Sequence, residues 1–339
     1  LPITASIRRI GPRSPGGLSA SELGLEAIVP LDPRVKRFLE VLAAGNSARA
    51  QDPGIAERRA QIVELMKLGG AAPPVGRTET FSLPGPAGPL SARRYSPLEA
   101  RSAVLPGLLY VHGGGLVGGN LDTHAVIAQS LAHFGACRVL ALDYRLAPEH
   151  PFPAALDDVR AVVKFLRAHA ADYGIDPSRL GICGDSAGGT LAAAACQEAA
   201  RAQEPPLALQ VLLCPILDYS RRSGSRAEFA SGYLLDQATL DHDLRHCLPG
   251  GADPTDPRLS PLRAADLSGV PRTIIHTAEF DPLRDEGREY FERLAHSGIG
   301  LSYTCHVGMI HLFYGLGAVI PYARSAFESI GREIRAALA

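Results

Sequence analysis

From residue 108 onward, short continuous apolar runs alternate with stretches of helical length, and that alternation constrains the fold more than any other feature of the chain. Strands that are apolar on every residue must be covered on both faces, which demands a mostly parallel sheet with helices packed on each side. Such runs fall at 108–111, 139–142 within a strand over 138–142, and 180–183, and further strands are expected at 208–214, 273–277 and 301–305. Helical patterns fill the intervals near 123–134, 154–170, 187–201 and 283–296, and a closing helix is expected over 322–338. Residues 78–83 and 90–95 flank a Pro- and Gly-rich turn and read as an antiparallel hairpin at one sheet edge.

The first 76 residues differ in rhythm. Pro33, then Val35, Phe38, Leu39 and Leu42, and later Ile55, Ile62, Leu65 and Met66 stand at helical spacing. The breaker-rich stretch 69–76 separates these helices from the sheet. Residues 215–261 interrupt the strand–helix alternation with polar, irregular sequence and one helical piece at 236–247, an insertion of a length that functional lids have. The expected organisation is an N-terminal helical cap segment and connector (1–76), a first core part (77–214), a cap insertion (215–261) and a second core part (262–339).

With 339 residues and 46% apolar content, the chain can bury a large core. Its 34 basic and 35 acidic residues nearly cancel and form no long run of one sign, so nucleic acid is not an expected partner. The six cysteines lack any C-x-x-C pair and are expected reduced and buried. Residues 1–11 hold no apolar core of signal-peptide length, and no window of about 18 apolar residues occurs. A cytoplasmic protein without stable membrane association is the expectation.

One junction carries chemistry. The apolar run at 180–183 ends in Gly184-Asp185-Ser186-Ala187-Gly188, and an alanine-rich helical pattern follows. Glycines two residues either side of a serine permit the tight strand-to-helix turn that lifts a hydroxyl above a sheet. Upstream, His112-Gly113-Gly114-Gly115 follows the strand at 108–111 and offers backbone N–H groups free of side chains, and Ala187 offers another at a helix start. Asp281 follows the strand at 273–277, with Glu279 in reserve; Asp281 or Asp285 could alternatively cap the next helix. His311 comes third in the order Ser, Asp, His, with His306 on a strand and His296 at a helix end as competitors. Tyr144 to Asp158 is rich in proline and reads as a structural bend. Leu116, Asp185, Tyr219 and Leu312 are the candidate lining of a substrate pocket; Phe229 and Tyr233, in the lid insertion with Tyr219, either line it as well or form lid core.

Together, His112-Gly113-Gly114-Gly115, the run from Gly184 to Gly189, the segment from Tyr144 to Asp158, Asp281-Pro282-Leu283 and His311 closely resemble bacterial hormone-sensitive-lipase-like (family IV) carboxylesterases of the α/β-hydrolase superfamily. The resemblance spans about residues 108–321. It implies a Ser186–Asp281–His311 triad, an oxyanion hole from Gly114, Gly115 and Ala187, and a cap over the site. It also implies short to medium acyl esters as substrates, no cofactor or metal, and pairing of subunits across a two-fold axis through the last strand, 301–305, as an exposed edge. Two departures stand out: Leu312 replaces the family's glycine after the histidine, and Leu116-Val117-Gly118-Gly119-Asn120 replaces its more aromatic continuation. An amidase, carbamate or aryl-formamide hydrolase on the same triad, or a non-catalytic ligand-binding protein of this fold, are the alternatives.

Overall fold

The computed structural model describes residues 5–11, 30–45, 53–98, 104–220, 223–248, 250 and 252–339. Its strands are β1 (Ala5–Ile10), β2 (Arg77–Gly85), β3 (Gly88–Ser96), β4 (Leu105–Val111), β5 (Arg138–Leu142), β6 (Ile175–Asp185), β7 (Leu209–Leu213), β8 (Thr273–Phe280) and β9 (Leu301–Ile310). They form one sheet in the order β1-β9-β8-β7-β6-β4-β5-β3-β2. All pairings from β1 through β5 are parallel, while β3 pairs antiparallel with β5 and with β2, the predicted edge hairpin.

The helices are α1 (Pro33–Gly45), α2 (Ile55–Met66), α3 (Ala125–Gly135), α4 (Ala154–His169), α5 (Ala187–Arg201), α6 (Gly224–Glu228), α7 (Gln237–Cys247), α8 (Arg284–His296) and α9 (Tyr322–Ala337). Alternate residues of each central strand feed opposite faces, as the two-residue period requires. Leu140 and Leu142 of β5 join Val159 and Leu166 of α4, Leu191 and Ala195 of α5, and Tyr290 and Leu294 of α8. Val139 and Ala141 join Ile127 and Leu131 of α3 and Ile330 and Ile334 of α9. Burial on both faces explains why these strands read as unbroken apolar runs rather than alternating ones. Val35 and Phe38 of α1 and Ile62 and Met66 of α2 are buried in the second of these clusters, so the N-terminal helices are anchored to the body by apolar contact. All six cysteines are free and buried.

Two expectations are corrected. The last strand is no edge: β1 lies outside it in parallel register, Ala5 opposite Leu301 through Ile10 opposite His306. Residues 5–10 therefore belong to the sheet and not to a helical cap segment, and β9 offers no free rim for a second copy. The sequence of β1, Ala-Ser-Ile-Arg-Arg-Ile, shows too little apolar character to announce a strand, and Ile7 is 65% exposed because an edge strand needs only one covered side. The insertion holds two helices, α6 and α7, where one was expected.

Parallel connectivity places the carboxyl ends of β4, β6, β7, β8 and β9 along one rim. In open sheets of this kind that rim is where ligands bind.

Candidate active site

Ser186 follows the last residue of β6 and precedes α5, with φ 51° and ψ −121°, a conformation that an L-residue holds only under constraint. The constraint is visible. Its N–H donates to Leu213 O at 2.9 Å, and its carbonyl accepts from Ile216 N at 3.1 Å. The flanking glycines allow chains to touch: a β-carbon at Gly184 would lie 2.1 Å from Gly188 O, and one at Gly188 would lie 2.1 Å from Val111 O. Only hydrogen fits at either position.

The histidine and aspartate arrive from neighbouring strand ends. His311 directly follows β9, and its Nε2 is 3.1 Å from Ser186 Oγ. Its Nδ1 is 2.8 Å from Asp281 Oδ2, just beyond β8. The other oxygen, Asp281 Oδ1, accepts from Leu283 N at 2.8 Å, which fixes the carboxylate's tilt. Asp281 is fully buried, whereas Ser186 and His311 retain slight exposure. The competing candidates lie elsewhere. Glu279 pairs with Arg9 of β1 and accepts from Gly308 N, and Asp285 accepts from Ser225 N. His306 sits between His276 and Tyr322, and His296 faces Glu292 O at a helix end.

Sequence reasoning overlooked Cys214, the residue after β7. Its thiol, one Asp281 carboxylate oxygen and one His311 ring nitrogen all lie within 4.8 Å of one another. Burial, reinforced by the Asp281 charge, pushes that thiol far above its ordinary pKa, so it faces the carboxylate as a neutral S–H. No sequence signal distinguishes it from the other buried cysteines.

The triglycine loop leaves β4 and turns over the serine. Gly114 and Gly115 have φ of 114° and 67°. Among the described residues the N–H groups of Gly114, Gly115 and Ala187 make no backbone hydrogen bond outside the regular elements. The loop is pinned from below: Gly113 N donates to Asp185 Oδ1 at 3.0 Å, and Tyr110 OH donates to the same oxygen at 2.6 Å. His112 stacks on Tyr144, whose hydroxyl donates to His112 O at 2.8 Å. Burial pushes His112 and His124 down to about 3, leaving both rings neutral.

Of the pocket candidates, Leu116 lines a small apolar cavity with Phe152, Leu156, Thr190, Leu191, Cys247 and Leu259, one helical turn from Ser186. Asp185 is a correction: fully buried, its carboxylate turns away from the cavity to hold Gly113 and Tyr110. The motif alone did not reveal this, because it carries no information on the segment that faces Asp185. Leu312 is half-buried against the α3 and α9 cluster, outside that cavity lining, with φ 60°. Tyr219 is buried in the other cluster, outside the lining. Phe229 and Tyr233 pack on Phe280 as an aromatic group of their own. Among the described residues no helix is long and apolar enough to cross a membrane.

Comparison with known proteins bears on the family and the fold. Residues 108–315 match the family described as alpha/beta hydrolase fold. The chain is 38% identical over 294 residues to the carboxylic ester hydrolase LipN of Mycobacterium tuberculosis, covering 84% of this chain and 77% of that protein. It is 36% identical over 301 residues to an ethyl acetate hydrolase of Pseudomonas putida, covering 86% and 95%. The solved structure of the ester hydrolase EH1AB1 from the metagenome of Lake Arreo, complexed with a derivative of bipyridine phosphonate, superposes with a TM-score of 0.87 at 39% identity, covering 90% and 98%.

Proposed function

The chain belongs to the hormone-sensitive-lipase-like carboxylesterases of the α/β-hydrolase superfamily, and we propose that within it Ser186 is the nucleophile, His311 the general acid and base, Asp281 the group that orients it, and Gly114, Gly115 and Ala187 the oxyanion donors. The observation that carries the assignment is the unbroken chain from Ser186 Oγ through the His311 ring to Asp281 Oδ2, at 3.1 and 2.8 Å.

In this reading His311 Nδ1–H donates to Asp281, which leaves the Nε2 lone pair to accept the Ser186 proton as Oγ attacks the ester carbonyl. The carbonyl oxygen becomes an oxyanion and swings onto the N–H groups of Gly114, Gly115 and Ala187, which need no reorganisation to receive it. Collapse breaks the bond to the alkoxy oxygen, and His311 returns the proton to that oxygen, so the alcohol departs and an acyl-enzyme remains. Water repeats the sequence from the other side and releases the acid.

A relative named for ethyl acetate points to short acyl and alkoxy groups in the substrate. The cap comprises α2 with the insertion helices α6 and α7, and the sheet with its remaining helices forms the core; β1, though N-terminal, belongs to the core. Replacing Ser186 with Ala is expected to lower turnover of p-nitrophenyl butyrate by on the order of 10⁴ to 10⁶. Retained turnover would overturn the assignment, and a matched p-nitroanilide cleaved as fast as the ester would favour an amidase.

A further inference from the structure

The triglycine loop carries a largely buried charge pair against Gly115. Asp243 of α7 lies so close to Gly115 that a β-carbon there would stand 2.0 Å from its Oδ2. Arg58 of α2 holds that carboxylate in two-point contact, Nε to Oδ1 at 3.0 Å and Nη2 to Oδ2 at 2.8 Å, and His242 Nδ1 also lies 2.9 Å from Oδ1, so Arg58 is the permanent charge among its partners. Both side chains are largely withdrawn from water, 17% and 5% exposed. The next residue of α2 grips the same loop: Arg59 Nε donates to Val117 O at 2.7 Å, and Ile62 Cδ1 occupies the space that a β-carbon on Gly118 would need.

A bare carboxylate beside Gly115 would oppose the negative charge that catalysis must gather on that residue's N–H. We propose that Arg58 is a positioning residue for the oxyanion hole: it neutralises Asp243 and holds it against Gly115, so that the N-terminal helix completes a site otherwise built by the sheet. A planar guanidinium matches a carboxylate at two points and stays charged when buried, which suits it to this task. The inference rests on the reading of Gly114 and Gly115 as oxyanion donors.

The test compares kcat and KM for p-nitrophenyl butyrate in four variants alongside the parent, with folding checked by thermal melting. Arg58→Gln is expected to lower kcat about tenfold with KM within about twofold, because the damage falls on the transition state. Removing the stranded charge as well, in Arg58→Gln/Asp243→Asn, is expected to restore kcat to within about threefold of the parent. A purely structural pair would show the loss and the rescue in the melting temperature, with kcat of the folded single variant close to that of the parent. Unchanged kcat in the single variant, a loss confined to KM, or a double variant no better than the single would each overturn the inference. Should Arg58→Gln not fold, Arg58→Lys keeps the charge without the two-point grip and is expected to hold kcat within about threefold; a tenfold loss there would refute charge balance. Ser186→Ala run in parallel keeps the two readings apart: if it is inactive while Arg58→Gln matches the parent, only this inference fails.

Discussion

At the scale of single residues, the site depends on backbone conformations that most side chains forbid. Ser186 itself sits at φ 51°, held by Leu213 O below and by glycines that let β6, α5 and the end of β4 close around it. Gly188→Ala would drive a methyl group into Val111 O. The expected result is about 3 kcal/mol lost in stability, since overpacking against backbone cannot be relieved by a rotamer change. Displacement of the hydroxyl should also lower kcat/KM about 10²-fold; urea melts and ester kinetics read both. Leu312 gives a physical reason for the family's glycine at its position, because its φ of 60° lies in the left-handed region that glycine occupies without penalty. The glycine-flanked serine, the triglycine run and the order Ser, Asp, His were legible because each encodes a local backbone requirement. Asp185, Cys214 and Asp243 were not, because what they do depends on which chain segment the fold brings opposite them.

At the scale of elements, the strands and helices after residue 77 follow the sequence pattern closely, while β1 and α6 do not. A polar edge strand and a one-turn helix bury too few apolar residues to leave a periodic trace. The insertion is joined to the core by a buried ion pair rather than by apolar area alone. Arg226 of α6 donates to Glu286 of α8 at 2.5 Å, and Glu286 also accepts from the N–H groups of Leu217 and Asp218 where the insertion begins. Burial raises the Glu286 carboxyl even though the Arg226 charge pulls it down. Arg226→Met would leave that carboxylate buried without its counter-charge, at a cost of about 3 kcal/mol near neutral pH. The deficit should shrink in acid, where Glu286 can take up a proton; denaturation at pH 7 and pH 5 measures both, and an equal deficit at the two pH values would contradict the account.

At the scale of the molecule, one sheet converts sequence order into proximity: residues 186, 281 and 311 meet because parallel strands end at a common rim. That interior also houses neutral histidines. Burial depresses His112, His124, His276 and His306, the first two to about 3 from an ordinary 6.5. A group whose folded pKa is lowered binds its proton more readily when unfolded, so the stability it contributes is full above about pH 6.5 and is lost as the pH falls toward 3. Each of the first two should cost about 1.4 kcal/mol per pH unit through that window. Asp143, Asp185 and Glu286, raised by burial, oppose this at the acid end but are outnumbered by the four histidines. Stability should therefore be level from pH 8 to 7 and decline below about pH 6, with a shallower slope in His124→Gln; a flat profile to pH 4 would refute it.

In the proposed mechanism the Ser186 hydroxyl, primed by the His311 ring, meets the carbon of an ester carbonyl whose oxygen faces three amide hydrogens. A crystal structure of the protein inactivated by an alkyl p-nitrophenyl phosphonate tests this in a single observation. The account predicts phosphorus bonded to Ser186 Oγ and the phosphoryl oxygen within about 3 Å of the nitrogens of Gly114, Gly115 and Ala187. Phosphorus attached to another residue, or its oxygen turned away from the triglycine loop, would contradict it.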